Sequence, residues 1–144
     1  MKIYLKLEPP YQWVRMNVKQ VDAFGEVPSL DDYPIAEDDE LIGVVAGDWV
    51  TAHKVNLPAK TRKLFASALP YALEELISED VDNMHFICPN WKAAQECYVF
   101  VVAKEKMREW QQLASKHRLP VEQLLPNYSL LPFHDSADVT IALD

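Results

Sequence analysis

Apolar and polar side chains alternate along two short stretches at the start of the chain, residues 2–7 and 13–18. An alternation with a period of two residues is typical of a β-strand that buries one face. The sequence Glu8-Pro9-Pro10 separates the two stretches, and prolines interrupt regular structure. We therefore predict that the two strands form an antiparallel hairpin joined by a short turn.

Four further stretches have the composition of β-strands. Residues 41–46 and 49–57 flank a Gly-Asp pair that is suited to a tight turn, so they predict a second hairpin. Residues 85–88 and 95–103 predict two more strands. The stretch 95–103 is so apolar that we expect both of its faces to be covered and the strand to be central in its sheet.

Apolar residues recur at spacings of three and four in two later segments, which predicts helical structure from Pro58 to Glu79 and from Lys104 to His117. Pro70 interrupts the first segment, so we expect a kink there or two consecutive helices. The proline-rich stretch after the second helix is predicted to be irregular, and residues 138–143 predict a final strand. Hairpins followed by helices indicate an α/β (α+β) fold, a mixed β-sheet with helices packed on it.

The length and composition are those of one globular domain. The chain has 144 residues, of which 49% are hydrophobic and 25% charged, and these values exclude disordered and collagen-like proteins. The longest apolar run, at 98–103, is far shorter than the roughly 20 residues of a membrane-spanning helix, and the N-terminus lacks the apolar block of a signal peptide. The two cysteines, Cys88 and Cys97, are few for a secreted scaffold, so we expect buried free thiols.

Negative charge is concentrated in one segment. Residues 22–40 contain eight acids and no Lys or Arg, so this segment carries the whole net charge of −8 and the rest of the chain is formally neutral. The segment is interpreted as a solvated loop or, alternatively, as a docking surface for a basic partner. An acidic chain repels phosphate backbones, so no nucleic-acid partner is expected.

Motifs for catalysis, metals and cofactors are missing from the sequence. The four histidines have no zinc-binding spacing, and the chain contains no phosphate-binding glycine motif, so we expect no metal and no cofactor. A mixed sheet that opens with hairpins is also the outline of ribonuclease H and the actin-like ATPases. The predicted first turn carries Pro9 and Pro10, which supply no amide donors for a phosphate, and the first strand has no metal-binding carboxylate. We therefore expect a degenerate fold of this kind without its nucleotide site.

Several strings of this sequence resemble one family. They are LIGVVAGDWVTAHKVNLP (41–58), ALPYALEELISEDVDNMHF (68–86) and, more weakly, VFVVAKEKMREW and LLPNYSLLP. In these strings the chain resembles type II secretion system protein L (GspL), with the type IV pilus assembly proteins as more distant kin. The resemblance implies a degenerate actin-like fold, with residues 1–133 as a cytoplasmic subdomain and 134–144 as the start of a truncated following one.

The resemblance also implies a function. Proteins of this family are scaffolds at the cytoplasmic face of the bacterial inner membrane, and they are not enzymes. They recruit the secretion ATPase through its N-terminal domain and contact type II secretion protein M through regions absent from this chain. The membrane anchor of such proteins is likewise expected outside this chain. Two alternatives remain. One is an active actin-like nucleotide-binding ATPase or kinase. The other is a domain that mainly forms a homodimer, in which the predicted edge strand at 138–143 would pair with a second copy.

Two acidic surfaces compete as the site for the ATPase. One, which we name the acidic helix end, comprises Glu74, Glu75, Glu79, Asp80 and Asp82. The other, the acidic loop, comprises Asp31, Asp32, Glu37, Asp38, Asp39 and Glu40. Trp91 is a candidate exposed aromatic contact, with core packing as the alternative, whereas core packing is favoured for Tyr71, Leu73 and Phe86.

Overall fold

The structure is a computed structural model that describes residues 1–89 and 91–130, and it divides into two compact units. Unit 1 contains Met1–Gly47 and the chain from Trp110 onward, and unit 2 contains Asp48–Glu109. The predicted domain boundary after residue 133 and the predicted strand at 138–143 lie outside the described residues. In the part of the chain that is described, no helix is both long enough and apolar enough to cross a membrane.

The described residues form eight strands and two α-helices. The strands are β1 (Lys2–Lys6), β2 (Tyr11–Met16), β3 (Val21–Val27), β4 (Glu40–Val45), β5 (Val50–Val55), β6 (Met84–Ile87), β7 (Cys97–Ala103) and β8 (Val121–Pro126). The helices are α1 (Arg62–Glu74) and α2 (Lys104–Lys116). Unit 1 holds a five-stranded sheet in the order β3-β2-β1-β4-β8, and unit 2 holds a three-stranded sheet in the order β5-β7-β6.

The predicted first hairpin is confirmed, and the acidic segment extends it. Strands β1 and β2 pair antiparallel, with Leu5 opposite Trp13, and β3 adds antiparallel to β2. The prediction of a loop throughout residues 22–40 was therefore wrong for its first part. Gly25 in β3 lies directly beside the Trp13 ring, so a small residue on this face lets an aromatic residue pack against the strand.

The predicted second hairpin was wrong, because β4 and β5 belong to different sheets. Strand β4 pairs parallel with β1 on one side and with β8 on the other, and a 3-10 turn at Gly47–Trp49 leads to β5. Five consecutive residues of β4, Leu41 to Val45, are buried. A continuous apolar run is typical of a parallel strand that is covered on both faces. The Gly-Asp pair after β4 is compatible with a tight turn, but it does not determine which strand pairs with β4.

Strand β8 lies in a stretch that was predicted to be irregular. Its flanking residue Pro120 and its last residue Pro126 led to that prediction, but within residues 1–89 and 91–130 β8 is an edge strand of its sheet. Prolines are tolerated at the ends of edge strands because a missing N–H there breaks no ladder. The wrong prediction therefore followed from treating these prolines as if they were in a central strand.

In unit 2, helix α1 and the β5-β7-β6 sheet enclose one apolar core. Phe65, Leu69 and Leu73 of α1 are buried with Val99 and Val101 of β7. Cys88 and Cys97 belong to the same core and are free thiols, as predicted. Strand β7 is central, as predicted, but the expectation that both of its faces are covered was wrong at Tyr98, which is 59% exposed.

Helix α1 is continuous through Pro70, so of the two alternatives predicted there, a kink or two consecutive helices, the second was wrong. The helix begins after Thr61, whose hydroxyl accepts a hydrogen bond from the Leu64 N–H at 3.2 Å. A proline inside a helix deprives the carbonyl four residues earlier of its donor. That carbonyl belongs to Ala66, an exposed residue, so water can hydrate it. The prediction for α2 is confirmed within one residue.

Candidate docking surfaces

The five carboxylates of the acidic helix end are all exposed. Glu74 is the last residue of α1 and Glu75 its C-terminal cap, while the other three lie on the connection to β6. The Asp80 carboxylate accepts a hydrogen bond from the Asp82 N–H at 3.0 Å, and the Ser78 hydroxyl donates to Glu79 at 3.3 Å. Within residues 1–89 and 91–130, none of the five forms an ion pair. Their negative charge is therefore available to a partner.

The charges of α1 oppose its macrodipole. The N-terminal turn carries Arg62 and Lys63, and the C-terminal end carries Glu74 and Glu75. A helix favours anions at its N-terminus and cations at its C-terminus, by about 0.3–1 kcal/mol per charge at an exposed position. The two glutamates thus weaken the helix that bears them, and stabilising α1 does not explain their presence.

Exposed apolar residues adjoin the acidic helix end. Tyr71 is 73% exposed, and it precedes Glu74 and Glu75 by three and four residues, a spacing that places the three side chains on one face of the helix. Leu64 precedes Tyr71 by seven residues and Leu76 follows the helix, and both are about half exposed. The acidic helix end is consequently one part of a mixed apolar and acidic surface.

The three residues assigned to the core from the sequence differ in their environment. Leu73 is fully buried, as predicted, and Phe86 is half-buried against the same core. The prediction was wrong for Tyr71. Phe65, Leu69 and Leu73 recur every four residues, and this buried stripe leaves Tyr71 on the outer side of α1. The four-residue spacing of Phe65, Leu69 and Leu73 in the sequence distinguishes the buried face of α1 from the exposed face that carries Tyr71.

Part of the acidic loop is engaged within unit 1. The Asp39 side chain is 6% exposed and lies 3.1 Å from Arg15 Nη2 and 3.4 Å from the terminal ammonium. A hydrogen bond from the Ala36 N–H is the main reason that the pKa of Asp39 lies below its ordinary value. Asp39 therefore fastens the loop to the sheet and is not a free contact for a partner.

Two other acids of the loop are paired as well. Asp31 accepts from His117 Nδ1 at 2.8 Å, and this hydrogen bond is the main reason that the pKa of Asp31 is lowered. Glu40 lies 3.5 Å from the Lys2 ammonium. Asp38 is exposed, and within the described residues it forms no ion pair. The acidic loop consequently offers less free charge than the sequence suggested.

Trp91 packs on the core of unit 2. It is half-buried, and its ring centroid lies 6.0 Å from that of Phe65 at an interplanar angle of 53°. Of the two interpretations of Trp91, core packing therefore agrees better with the structure than an exposed aromatic contact. Among the described residues, the exposed aromatic residues are instead Tyr71, Tyr98, Trp49 and, in unit 1, Phe24, of which the last three were not singled out from the sequence.

The first hairpin turn offers little backbone to an anion. Pro9 and Pro10 have no N–H, and the N–H of Leu7 donates to the Val44 carbonyl at 3.0 Å. The remaining residue of the turn, Glu8, brings a carboxylate that repels phosphate. Among the described residues, no group of three or more His, Cys, Asp or Glu side chains is arranged to hold a metal ion.

The fold defines a class of protein, a mixed α/β protein of the actin-like kind. The structure superposes on the cytoplasmic domain of EpsL, an inner membrane component of the type II secretion system of Vibrio cholerae, with a TM-score of 0.73 and 20% identity, covering 93% of this chain and 60% of that one. It also superposes on a chain of the PilM-PilN type IV pilus biogenesis complex, with a TM-score of 0.55 and 10% identity, covering 88% of this chain and 46% of that one. At these identities the likeness concerns the fold.

The chain belongs to the type II secretion system protein L family, whose model matches residues 15–144. It is 33% identical over 108 residues to type II secretion system protein L of Dickeya chrysanthemi, covering 75% of this chain and 26% of the relative. It is 36% identical over 80 residues to the protein of that name from Klebsiella pneumoniae, covering 56% and 20%. The chain thus spans 26% and 20% of the length of these two relatives. The resemblance seen in the sequence is confirmed, and the chain is a component of a type II secretion system.

Proposed function

We propose that this chain is a cytoplasmic scaffold of the inner-membrane platform, which recruits the secretion ATPase through the N-terminal domain of that enzyme and couples it to the membrane complex. Family membership supports the place in the secretion system, and the relative from Vibrio cholerae is named as an inner-membrane component with a cytoplasmic domain. The observation that carries the proposal is the mixed surface at the end of α1. Within the described residues its acids are exposed and form no ion pair, and Glu74 and Glu75 are unfavourable for the helix, as expected of charges kept for a partner.

The surface has the two components that a docking site requires. An exposed ion pair contributes only about 0–1 kcal/mol, so the carboxylates mainly steer a basic partner and speed its association. Affinity has to come from buried apolar anchors, and tyrosine is one of the residues most often found in that role. Tyr71 and Leu76 supply such anchors beside Glu74 and Glu75.

The scaffold performs no chemistry in this proposal. The two prolines and the carboxylate of the first turn support that view, because an actin-like ATPase needs backbone donors there. The alternative function, an actin-like ATPase or kinase, predicts that the chain binds magnesium-ATP. Saturable binding of magnesium-ATP, measured by titration calorimetry, would favour that alternative and contradict the scaffold.

Further contacts belong to the whole protein. We propose that it resides at the cytoplasmic face of the inner membrane and contacts type II secretion protein M through regions outside this chain. A homodimer is a third proposed contact. Sedimentation of this chain at increasing concentration measures whether residues 1–144 are sufficient for self-association.

A comparison of variants tests the docking surface. The association of the chain with the full-length cognate ATPase is measured by biolayer interferometry for Tyr71→Ala, for Glu74→Gln/Glu75→Gln and for the control Asp38→Asn. We expect the first two to weaken binding at least about tenfold, as for hot-spot residues, and the control to leave it unchanged. An ATPase that lacks its N-terminal domain should not bind. Equal affinities for all variants would place the interface elsewhere.

A further inference from the structure

Strand β6 leaves one side of the unit 2 sheet open. Among the described residues it pairs with β7 alone, from Met84 opposite Ala103 to Ile87 opposite Phe100, and the register has no bulge. In an antiparallel pair, alternate residues direct their N–H and C=O groups away from the partner. The Met84 N–H donates to the Val81 carbonyl of the preceding 3-10 turn, and within the described residues no other backbone hydrogen bond from outside the sheet reaches residues 84–87. Beyond Met84, the outer edge of β6 therefore presents donors and acceptors without a backbone partner.

Apart from the shortness of β6, which has four residues, this edge lacks the protection that exposed edges ordinarily have. Natural edge strands carry lysines, prolines, bulges or a covering segment, which prevent pairing with another chain. The opposite edge strand, β5, carries Lys54, which is ion-paired with Glu96 at 2.9 Å. Strand β6 has the sequence MHFI, without Lys or Pro, and its Ile87 is 51% exposed. The two edge strands of this sheet thus differ, since β5 carries a lysine and β6 carries neither lysine nor proline.

A groove lies beside the same strand. It has a volume of about 300 Å³, and its apolar wall includes Pro70 of α1 together with Met84 and Phe86 of β6. Asp82, His85 and Lys104 form its polar part, and the Lys104 ammonium donates to the Asp82 carbonyl at 2.8 Å. The Asp82 carboxylate forms no ion pair among the described residues, and Lys104 keeps its positive charge because a carbonyl does not neutralise it. The groove therefore combines an apolar wall with a polar end, beside which the carboxylates of Glu79, Asp80 and Asp82 outnumber the one ammonium.

We propose that β6 accepts an extended strand from the docking partner, which adds to the sheet as a fourth strand. Backbone hydrogen bonds to the open edge would fix the strand, as in other cases of strand addition. The partner strand carries an apolar side chain that fills the groove and a Lys or Arg beside the Met84 end of β6. There it meets the carboxylates of Glu79, Asp80 and Asp82, which immediately precede the strand. This proposal rests on the proposed function, since the ATPase supplies the strand.

Hydrogen exchange distinguishes strand addition from docking on the helix alone. The exchange of amides 84–87 is measured in the 144-residue chain, free and saturated with the full-length ATPase. We expect the outward-facing amides of β6 to exchange at least about tenfold more slowly in the complex, because they become hydrogen-bonded. If the ATPase binds and these amides exchange at the free rate, strand addition is overturned while the scaffold function stands. If the ATPase does not bind, both proposals fail.

A pair of lysine variants provides an independent test. Ile87 on β6, Phe100 on β7 and Ala52 on β5 form one row across the sheet, so Ile87→Lys and Ala52→Lys place the same charge on the same face at opposite edges. We expect Ile87→Lys to weaken ATPase binding at least about tenfold, since a lysine blocks an edge and repels a basic strand. Ala52→Lys should bind normally. Equal binding by both variants, each folded by circular dichroism, would contradict the proposal.

Discussion

The Asp39 carboxylate joins two positions that are distant in sequence, since one of its oxygens lies 3.1 Å from Arg15 Nη2 and the other 3.4 Å from the terminal ammonium of Met1. It also accepts a hydrogen bond from the Ala36 N–H at 2.9 Å. Asp38, the adjacent acid, is exposed and has none of these contacts. Two neighbouring acids of one segment thus have different roles, one structural and one free for other contacts.

The first prediction concerns this difference. Asp39→Asn removes the charge that Arg15 and the terminus face, so we expect a lower thermal midpoint for the chain. Asp38→Asn is the matched control and should leave the midpoint unchanged, as most surface substitutions do. Thermal unfolding followed by circular dichroism measures both. Equal midpoints for Asp39→Asn and the unsubstituted chain would show that this ion pair does not stabilise the fold.

The second prediction concerns pH. The folded-state pKa of Asp39 is lowered from its ordinary value of 3.8, chiefly by the Ala36 hydrogen bond, with Arg15 and the terminal ammonium adding to the effect. Its contribution to stability is therefore present above the unfolded pKa and is lost as the pH falls through the folded pKa. Urea unfolding between about pH 6 and pH 3 should show stability falling less steeply in Asp39→Asn than in the unsubstituted chain. Identical slopes would be inconsistent with the lowered pKa.

The third prediction separates stability from binding. Glu75→Gln removes a carboxylate from the C-terminus of α1, so it should raise the free energy of unfolding by about 0.3–1 kcal/mol while weakening ATPase binding. Arg62→Gln removes a cation from the N-terminus of the same helix. It should stabilise the chain by a similar amount and leave binding intact. Urea unfolding and interferometry measure the two effects. If Glu75→Gln gains no stability, the claim that Glu75 opposes the macrodipole of α1 is contradicted.

The fourth prediction concerns Gly47, which lies against residues of unit 1 that follow β8. Its N–H donates to Asn127 Oδ1 at 3.1 Å, and an added Cβ would lie 2.6 Å from that oxygen and closer still to the Tyr128 ring. Gly47→Ala should therefore destabilise the chain by about 1–3 kcal/mol, the usual cost of overpacking. Gly25→Ala, whose Cβ would lie 3.3 Å from the Trp13 ring, is the milder comparison. The free energies of unfolding of both variants are measured in urea. A lower value for Gly25→Ala than for Gly47→Ala would contradict this prediction.

The fifth prediction concerns the two thiols. Burial, together with a hydrogen bond to Cys88, raises the pKa of Cys97 to about 12, and both side chains are in the unit 2 core. A thiol reagent reacts with the thiolate, so neither cysteine should react in the folded chain near neutral pH, whereas both should react in urea. Colorimetric thiol titration measures this. Fast labelling of the folded chain would mean that the core opens at this end.

Local periodicity predicted the elements better than their partners. The alternation around Leu5 and Trp13 located the first hairpin, and the helical spacing located α2. The pairing of β4 with β1 and β8 depends on residues up to 81 positions away, and no local pattern encodes it. Strand β3 was missed because its acids Asp22 and Glu26 resemble those of the loop that follows. The acids concealed an alternation in which Ala23, Gly25 and Val27 face inward.

The candidate site could be predicted in part. The run of acids from Glu74 to Asp82 is visible in the sequence, and its exposure follows from its charge. Which acids of the 22–40 segment are engaged could not be predicted, since their partners are remote in sequence: Arg15 lies on β2 and His117 directly follows α2. The open edge of β6 was equally inaccessible, because a strand becomes an edge only through the order of the whole sheet.

Recruitment of the ATPase is the central claim, and titration calorimetry of this chain against the full-length cognate secretion ATPase tests it most directly. The titration is performed at low and at high salt, with an ATPase lacking the N-terminal domain as the control. We predict saturable binding that weakens as salt screens the acidic surface, and no binding by the control. Absence of binding at both salt concentrations, or equal binding by the truncated ATPase, would contradict the proposed recruitment.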